Sequence, residues 1–179
     1  MDHHDHVNLL RPAPLDKGGS WADLGAGSGA FTFALRELVG PTATIYAVDK
    51  DRSSLDMLKS EYKSRFGSEE NLHLQIGDFS QPLNLPTLDG ILAANSLHYF
   101  KDRVRILKHI RSLLKPTGKL IVIEYNVDSG NPWVPYPFSF GTFGKLAVQA
   151  GFTPPQLLAT NSSRFLREFY SALTFKANS

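Results

Sequence analysis

The stretch Trp21-Ala22-Asp23-Leu24-Gly25-Ala26-Gly27-Ser28-Gly29-Ala30-Phe31 decides the fold. An apolar run from Ser20 to Leu24 reads as a strand carrying an acid near its end. Three glycines then turn the chain. Phe31, Ala34, Leu35 and Leu38 follow at the spacing of one helix face, to about Val39, where Gly40-Pro41 ends the helix. A strand, a glycine turn and a helix in direct succession form the first half of a parallel crossover.

The pattern repeats on both sides. Ala43–Val48 reads as the second strand, and a helix over 53–66 carries Leu55, Leu58, Tyr62 and Phe66 on one stripe until Gly67 stops it. Asn71–Ile76 and Leu88–Ala94 are the third and fourth strands. Pro82 and Pro86 leave no room for a full helix between them, so a loop or single turn is expected. A helix over 101–114 buries Val104, Leu107, Ile110 and Leu114; Lys115–Gly118 is a turn, and Lys119–Tyr125 the fifth strand. A helix near 142–150 precedes two strands near 152–160 and 165–175. The turn Thr160–Arg164 is too short for a parallel crossover, so the last strand should run antiparallel to its predecessor. Alternating strands and helices give an α/β fold with a mostly parallel sheet.

The chain has 179 residues, the length of one domain (1–19 an N-terminal segment, 20–175 the core), with 42% hydrophobic and 20% charged residues. Nineteen Lys and Arg against 17 Asp and Glu leave a net charge of +2, too mild to argue for nucleic acid or an anionic membrane. The absence of cysteine excludes disulfides, thiolate metal sites and a cysteine nucleophile. No apolar run reaches the roughly 20 residues of a bilayer span. The first residues show no signal-peptide pattern, so a soluble cytoplasmic protein is expected.

Glycines at a strand-to-helix turn let a ligand approach the backbone, and the open helix end favours negative charge. Gly25-x-Gly27-x-x-Ala30 also satisfies the dinucleotide fingerprint. Asp49, ending the second strand, is placed to accept from ribose hydroxyls, which fits NAD equally. Asp78, beside Phe79, offers an acceptor and a ring of the kind an adenine needs. The two-strand ending is something a dinucleotide domain does not require.

With these landmarks, residues 20–175 resemble the class I S-adenosylmethionine-dependent methyltransferases: DLGAGSGAF, the acid of AVDKD, the acid of GDF, ILAANSLHYF, and LLKPTGKLIVIEY, in that order. The resemblance implies a Rossmann-like three-layer sandwich with a seven-stranded sheet of order 3-2-1-4-5-7-6 and the last strand antiparallel. It implies S-adenosylmethionine as cofactor and S-adenosylhomocysteine as product. It places Asp23, Gly25, Ala26 and Gly27 along the methionine part, Asp49 on the ribose and Lys50 beside the adenine. Asp78 and Phe79 meet the adenine amine and ring, and Asn95 and Ser96 the reacting end. The chain departs from the family in the short region after Asp78. It also lacks the N/D-P-P-Y/F motif of many amino-group methyltransferases, which argues against DNA bases as acceptors.

Such a transfer needs position and desolvation, and a protic nucleophile needs a base. His98, just past the fourth strand, is the candidate base; packing or capping is its bland alternative. Tyr99 is a candidate to orient substrate, and Glu124 to bind an amine or to be paired structurally. Asn131–Gly141, with three prolines, four aromatics and neither Lys nor Arg, reads as a lid over the acceptor or as a packed connection. Its lack of cations argues against an RNA acceptor. Residues 5–11 suggest a short helix with Val7, Leu9 and Leu10 over the cofactor and Arg11 on its carboxylate. The Asp2–His6 run reads as a solvated start, so no metal is expected. The function expected is methyl transfer to a small molecule. The alternatives are a non-catalytic module binding the same nucleoside, an RNA or protein methyltransferase, and an NAD-dependent oxidoreductase.

Overall fold

A computed structural model describes residues 1–177. The chain runs α1 (His3–Leu10), β1 (Ser20–Leu24), α2 (Ala30–Val39), β2 (Thr44–Asp49), α3 (Arg52–Phe66), β3 (Leu72–Ile76) and β4 (Leu88–Ala94). A 3-10 turn at Leu97–Tyr99 leads to α4 (Arg103–Leu113), β5 (Leu114–Tyr125), α5 (Phe140–Gln149), β6 (Gln156–Ser163) and β7 (Arg167–Phe175). The seven strands form one sheet in the order β3-β2-β1-β4-β5-β7-β6, and β7 is antiparallel to both of its neighbours.

Helix ends follow local chemistry. The carboxylate of Asp51 accepts from the Ser53 N–H to open α3, and Gly67, at φ 74°, closes it in the left-handed conformation that glycine adopts at least cost. Asp102 and Ser139 cap α4 and α5 in the same way.

Strand alternation splits the core in two. Trp21, Ile45, Ile121 and Ile123 face α1, α2 and α3; Ala22, Leu24, Val122 and Tyr170 face α4 and α5. This alternation aims Asp23 at α2 and Glu124 at the α4 side. At the centre of the sheet Trp21 pairs with Gly90 across β1 and β4. A Cβ on Gly90 would run into the indole ring. The large ring on one strand therefore needs the missing side chain on the other.

Several expected boundaries move. No helix forms between β3 and β4, as the prolines required. β5 begins at Leu114, so Lys115–Gly118 extends the strand rather than forming a separate turn, with a register shift opposite Leu88 and Gly90. β6 begins at Gln156 instead of near 152, because Pro154 and Pro155 have no N–H to donate, and Phe152 makes only an isolated bridge to Lys176. The hairpin turn accordingly falls at 164–166. The N-terminal helix forms, and Val7, Leu9 and Leu10 enter the core where α1 packs on α2 and β6. Arg11, at the far end of α1, is exposed.

Gly90→Ala should cost roughly 1–3 kcal/mol by overpacking. The shift in denaturant midpoint measures it, and a second change, Trp21→Phe, should recover part of the loss. An unchanged midpoint in Gly90→Ala would show that the β1–β4 contact is not close-packed.

Candidate functional site

Parallel strands deliver their carboxyl ends to one edge of the sheet, and the order reverses between β1 and β4. Two adjoining cavities lie there, of about 510 and 280 Å³, and both include Gly25 and Asn95 in their walls. The larger is bounded by Asp49 and Lys50 at the end of β2, Asp78 and Phe79 after β3, and Ser96 after β4. The smaller is bounded by Asp23, Ala26 and Gly27. Each residue of the glycine turn, the strand-end acids and their neighbours, and the Asn95–Ser96 pair that the sequence set aside for the cofactor therefore lines one of the two; Val7, Leu9, Leu10 and Arg11 line neither.

The glycine turn is shaped by close contact. Gly25 has φ 80°, and a Cβ there would stand 2.5 Å from the Ser96 Cβ and 3.5 Å from the Phe79 ring. Gly27 has φ 52° with open space where its Cβ would project. The Asp49 carboxylate holds this turn: Oδ2 accepts from Gly27 N–H at 2.8 Å and Oδ1 from Asp51 N–H at 2.9 Å. Phe79 is buried and meets the Phe100 ring edge-on, centroids 5.0 Å apart. Asp78 is exposed, with Oδ1 accepting from Ser80 N–H at 2.8 Å.

Asp23 is a buried carboxylate, 1% exposed, accepting from the Thr32 hydroxyl at 2.6 Å. Burial pushes its pKa up to about 7 against the pull of that hydrogen bond, and the nearby charge of Asp49 pushes the same way. An acid in this state is matched to a cationic group arriving beside it.

Past β4 the chain turns sharply. Asn95 takes φ 52°, uncommon outside glycine but tolerated by asparagine. Its Oδ1 and the Ser96 hydroxyl are buried without a partner. Glu124, fully buried on β5, gathers three donors: Oε1 accepts from Leu97 N–H at 3.0 Å and His98 N–H at 3.2 Å, and Oε2 lies 2.8 Å from His98 Nδ1. A carboxylate that accepts three donors makes Nδ1 a donor, and in the neutral imidazole Nε2 is then the acceptor. Nε2 is indeed buried without a partner. His98 is buried and lines neither cavity, whereas Ser96 and Tyr99, on either side of it in the chain, line the larger.

Other expected roles fall differently. The amine-binding role for Glu124 does not hold, since its oxygens are taken up by His98 and Leu97. The Asp2–His6 run starts α1: Asp2 and Asp5 cap it reciprocally, and His3 Nε2 is 2.9 Å from Glu37. Among the described residues no cluster of metal-ligating side chains occurs. His6 and Met1, which sequence reading passed over, line the smaller cavity. The helix signal at residues 5–11 was legible, but which of its faces meets the glycine turn was not. Thr32 carried no signal, being one helical residue among ten.

The profile described as "Methyltransferase domain" matches residues 15–147. A demethylmenaquinone methyltransferase of Lactobacillus johnsonii is 29% identical over 157 residues, covering 84% of this chain and 63% of that protein. The chain spans between 42% and 63% of the length of the curated relatives it matches. Among solved structures, the YcgJ protein of Bacillus subtilis superposes with a TM-score of 0.79 at 14% identity, covering 99% of this chain and 100% of that one. Human N-acetylserotonin methyltransferase in complex with SAM gives 0.71 at 24% identity, covering 97% and 52%. With a matching profile across most of its length and the sheet order described above, the chain belongs to the methyltransferase domain family.

Proposed function

We propose that this protein binds S-adenosylmethionine in the two adjoining cavities and transfers its methyl group to a hydroxyl of a small molecule, with His98 as general base. The observation that carries the reading is the junction of the cavities at Gly25 and Asn95. It sets an acid–aromatic end beside an end holding a neutralisable acid and unpartnered polar atoms. The curated relatives named as demethylmenaquinone methyltransferases support a small-molecule acceptor. No described helix is long and apolar enough to cross a membrane, and a cytoplasmic location belongs to the same reading.

The residues fit the group. Asp49, already held by two backbone N–H groups, keeps further lone pairs for the ribose hydroxyls. Asp78 and Phe79 supply the acceptor and wall for adenine, with Lys50 flanking. Gly27 leaves open space for the methionine part, and Asp23 and Asn95 Oδ1 supply acceptors for its ammonium. When bound, the sulfonium supplies an activated methyl, so the protein contributes placement and desolvation. Glu124 holds the imidazole by Nδ1–H, and Nε2 takes the hydroxyl proton of the acceptor.

Calorimetry should show binding of S-adenosylhomocysteine, with NAD much weaker. Asp49→Ala should lose roughly 1.5–3 kcal/mol, or roughly 10- to 150-fold in affinity. Tight NAD binding without response to the nucleoside would overturn the reading, and nucleoside binding without methyl transfer would reduce the protein to a binding module.

Asp23 makes that affinity depend on pH. In the empty protein it carries a proton up to about pH 7, and a cation beside it favours the charged form. Affinity should therefore rise as pH approaches 7 and level off above it, by up to about tenfold per unit. Its stabilising contribution to the empty protein runs the other way. That contribution is complete below the unfolded value and is lost as pH rises through 7, because the unfolded chain releases the proton first. Asp23→Asn should flatten both profiles. A wild-type affinity independent of pH between 5.5 and 8, a window bracketing about 7, would separate Asp23 from the ligand's charge.

Single-turnover rates test the base. His98→Ala should slow transfer by about 10²–10⁴ with little change in nucleoside affinity. Glu124→Gln should slow it less, because the ring stays in place with its tautomer loosened. A His98→Ala protein with the wild-type rate would remove the base and leave the cofactor site standing.

A further inference from the structure

A net charge of +2 hides an uneven distribution. The stretch Lys101–Lys115, which carries α4, holds six Lys and Arg and one acid, Asp102. The Asp102 carboxylate is engaged in capping α4, accepting from the Arg105 N–H at 3.1 Å. Among the described residues Lys115 alone of the six cations forms an ion pair, with Asp89 at 2.8 Å. Arg103 and Arg111 donate to backbone carbonyls, which leaves their charge uncompensated. Arg105 and Lys108 lie on one exposed stripe of α4, with Lys101 exposed just before it. The β6–β7 turn adds two exposed cations, Arg164 and Arg167, on either side of Phe165 and Leu166. Arg167 holds φ 67°, a conformation that glycine adopts at less cost, so the turn keeps a cation where backbone energy favours a residue without one.

The same edge carries an apolar knob. Trp133 and Phe165 are 71% and 52% exposed, and their rings meet edge to face with centroids 6.3 Å apart. Large exposed hydrophobics are normally scattered, yet these two come together from distant segments, and neither lines a cavity. The knob is supported from below. Phe165 lies 6.0 Å from the half-buried Tyr125 ring. The Asn131 side chain accepts from the N–H groups of Trp133 and Val134 at 2.9 Å, and Val134 is buried. Arg103, donating to the carbonyls of Tyr136 and Pro137, ties this segment to the start of α4.

We propose that this edge is a docking surface for an anionic lipid bilayer, with Trp133 and Phe165 entering the headgroup layer and Lys101, Arg105, Arg164 and Arg167 meeting lipid phosphates. Aromatic rings settle at the level of the headgroups, and cations beside them gain from the negative surface potential. The protein lies on the bilayer and does not span it. A nucleic acid fits less well, because rings packed edge to face form one knob, not parallel platforms for successive bases. The proposal stands independently of the cofactor and of the role of His98.

Vesicle sedimentation of the full chain tests it, with phosphatidylcholine alone against equal parts phosphatidylcholine and phosphatidylglycerol. Binding to the anionic vesicles should be at least about 30-fold stronger, the effect of two or more cations at the surface. It should vanish near 1 M salt, where the screening length falls to about 3 Å. Lys101→Glu with Arg164→Glu should lower it at least about 30-fold. Lys59→Glu with Lys63→Glu, on α3 in the opposite helix layer, changes the net charge equally and should keep most of it. All variants should keep the wild-type unfolding midpoint. The chain has two tryptophans and Trp21 is buried, so a blue shift of emission on adding anionic vesicles reports Trp133. Trp133→Ala should lose the shift and bind more weakly, and Trp133→Phe should restore binding. Equal binding to the two vesicles, binding to neither, binding without the shift, or an equal loss in the α3 variant would overturn the proposal. Binding of polyuridylate in place of vesicles would also overturn it and assign these cations to nucleic acid.

Discussion

The reversal of strand order between β1 and β4 is the constraint from which the rest of the site follows. The chain leaves β1 toward β2 and β3 and leaves β4 toward β5, so their loops diverge and a cleft opens between them. The two strands must nevertheless lie close, and the contact of Trp21 with the bare backbone of Gly90 keeps them so. Gly25 meets Ser96 just above that contact, which brings the glycine turn and the β4 exit within reach of one ligand.

On the β2 side of the cleft, backbone geometry is held by charge. Asp49 clamps the Gly27 N–H, and Asp23 stands behind it without a cation of its own. Two acids so placed are a poor arrangement for an empty protein. Burial and the neighbouring Asp49 charge both hold the Asp23 pKa up, a perturbation common at functional sites.

On the β5 side the same logic appears with hydrogen bonds. Glu124 is tolerable in a core because three donors converge on it, and in satisfying itself it fixes the 3-10 turn and the face of His98. The antiparallel entry of β7 between β5 and β6 matters equally. It returns the hairpin turn to the edge where β5 ends, which sets Phe165 beside Tyr125.

The sequence alone determined the alternation of strands and helices, the glycine turn, the acids near the ends of β1 and β2 and after β3, and the antiparallel ending. Those are local properties: period-2 and period-3.6 patterns, the conformational freedom of glycine, and a turn too short to cross a sheet. The start of β6 and the continuation of β5 through Lys115–Gly118 depended on pairing partners distant in the chain. So did the placement of α1, whose apolar residues were read as buried while their neighbours α2 and β6 were not foreseen. Glu124 was visible as an acid in an apolar strand, yet its partner was not. Tertiary structure alone decided that pairing, as it decided the Thr32 bond to Asp23 and the meeting of the Trp133 and Phe165 rings. Sequence patterns report which face a residue turns inward. Only the packing of one element on another reports which atom it meets there.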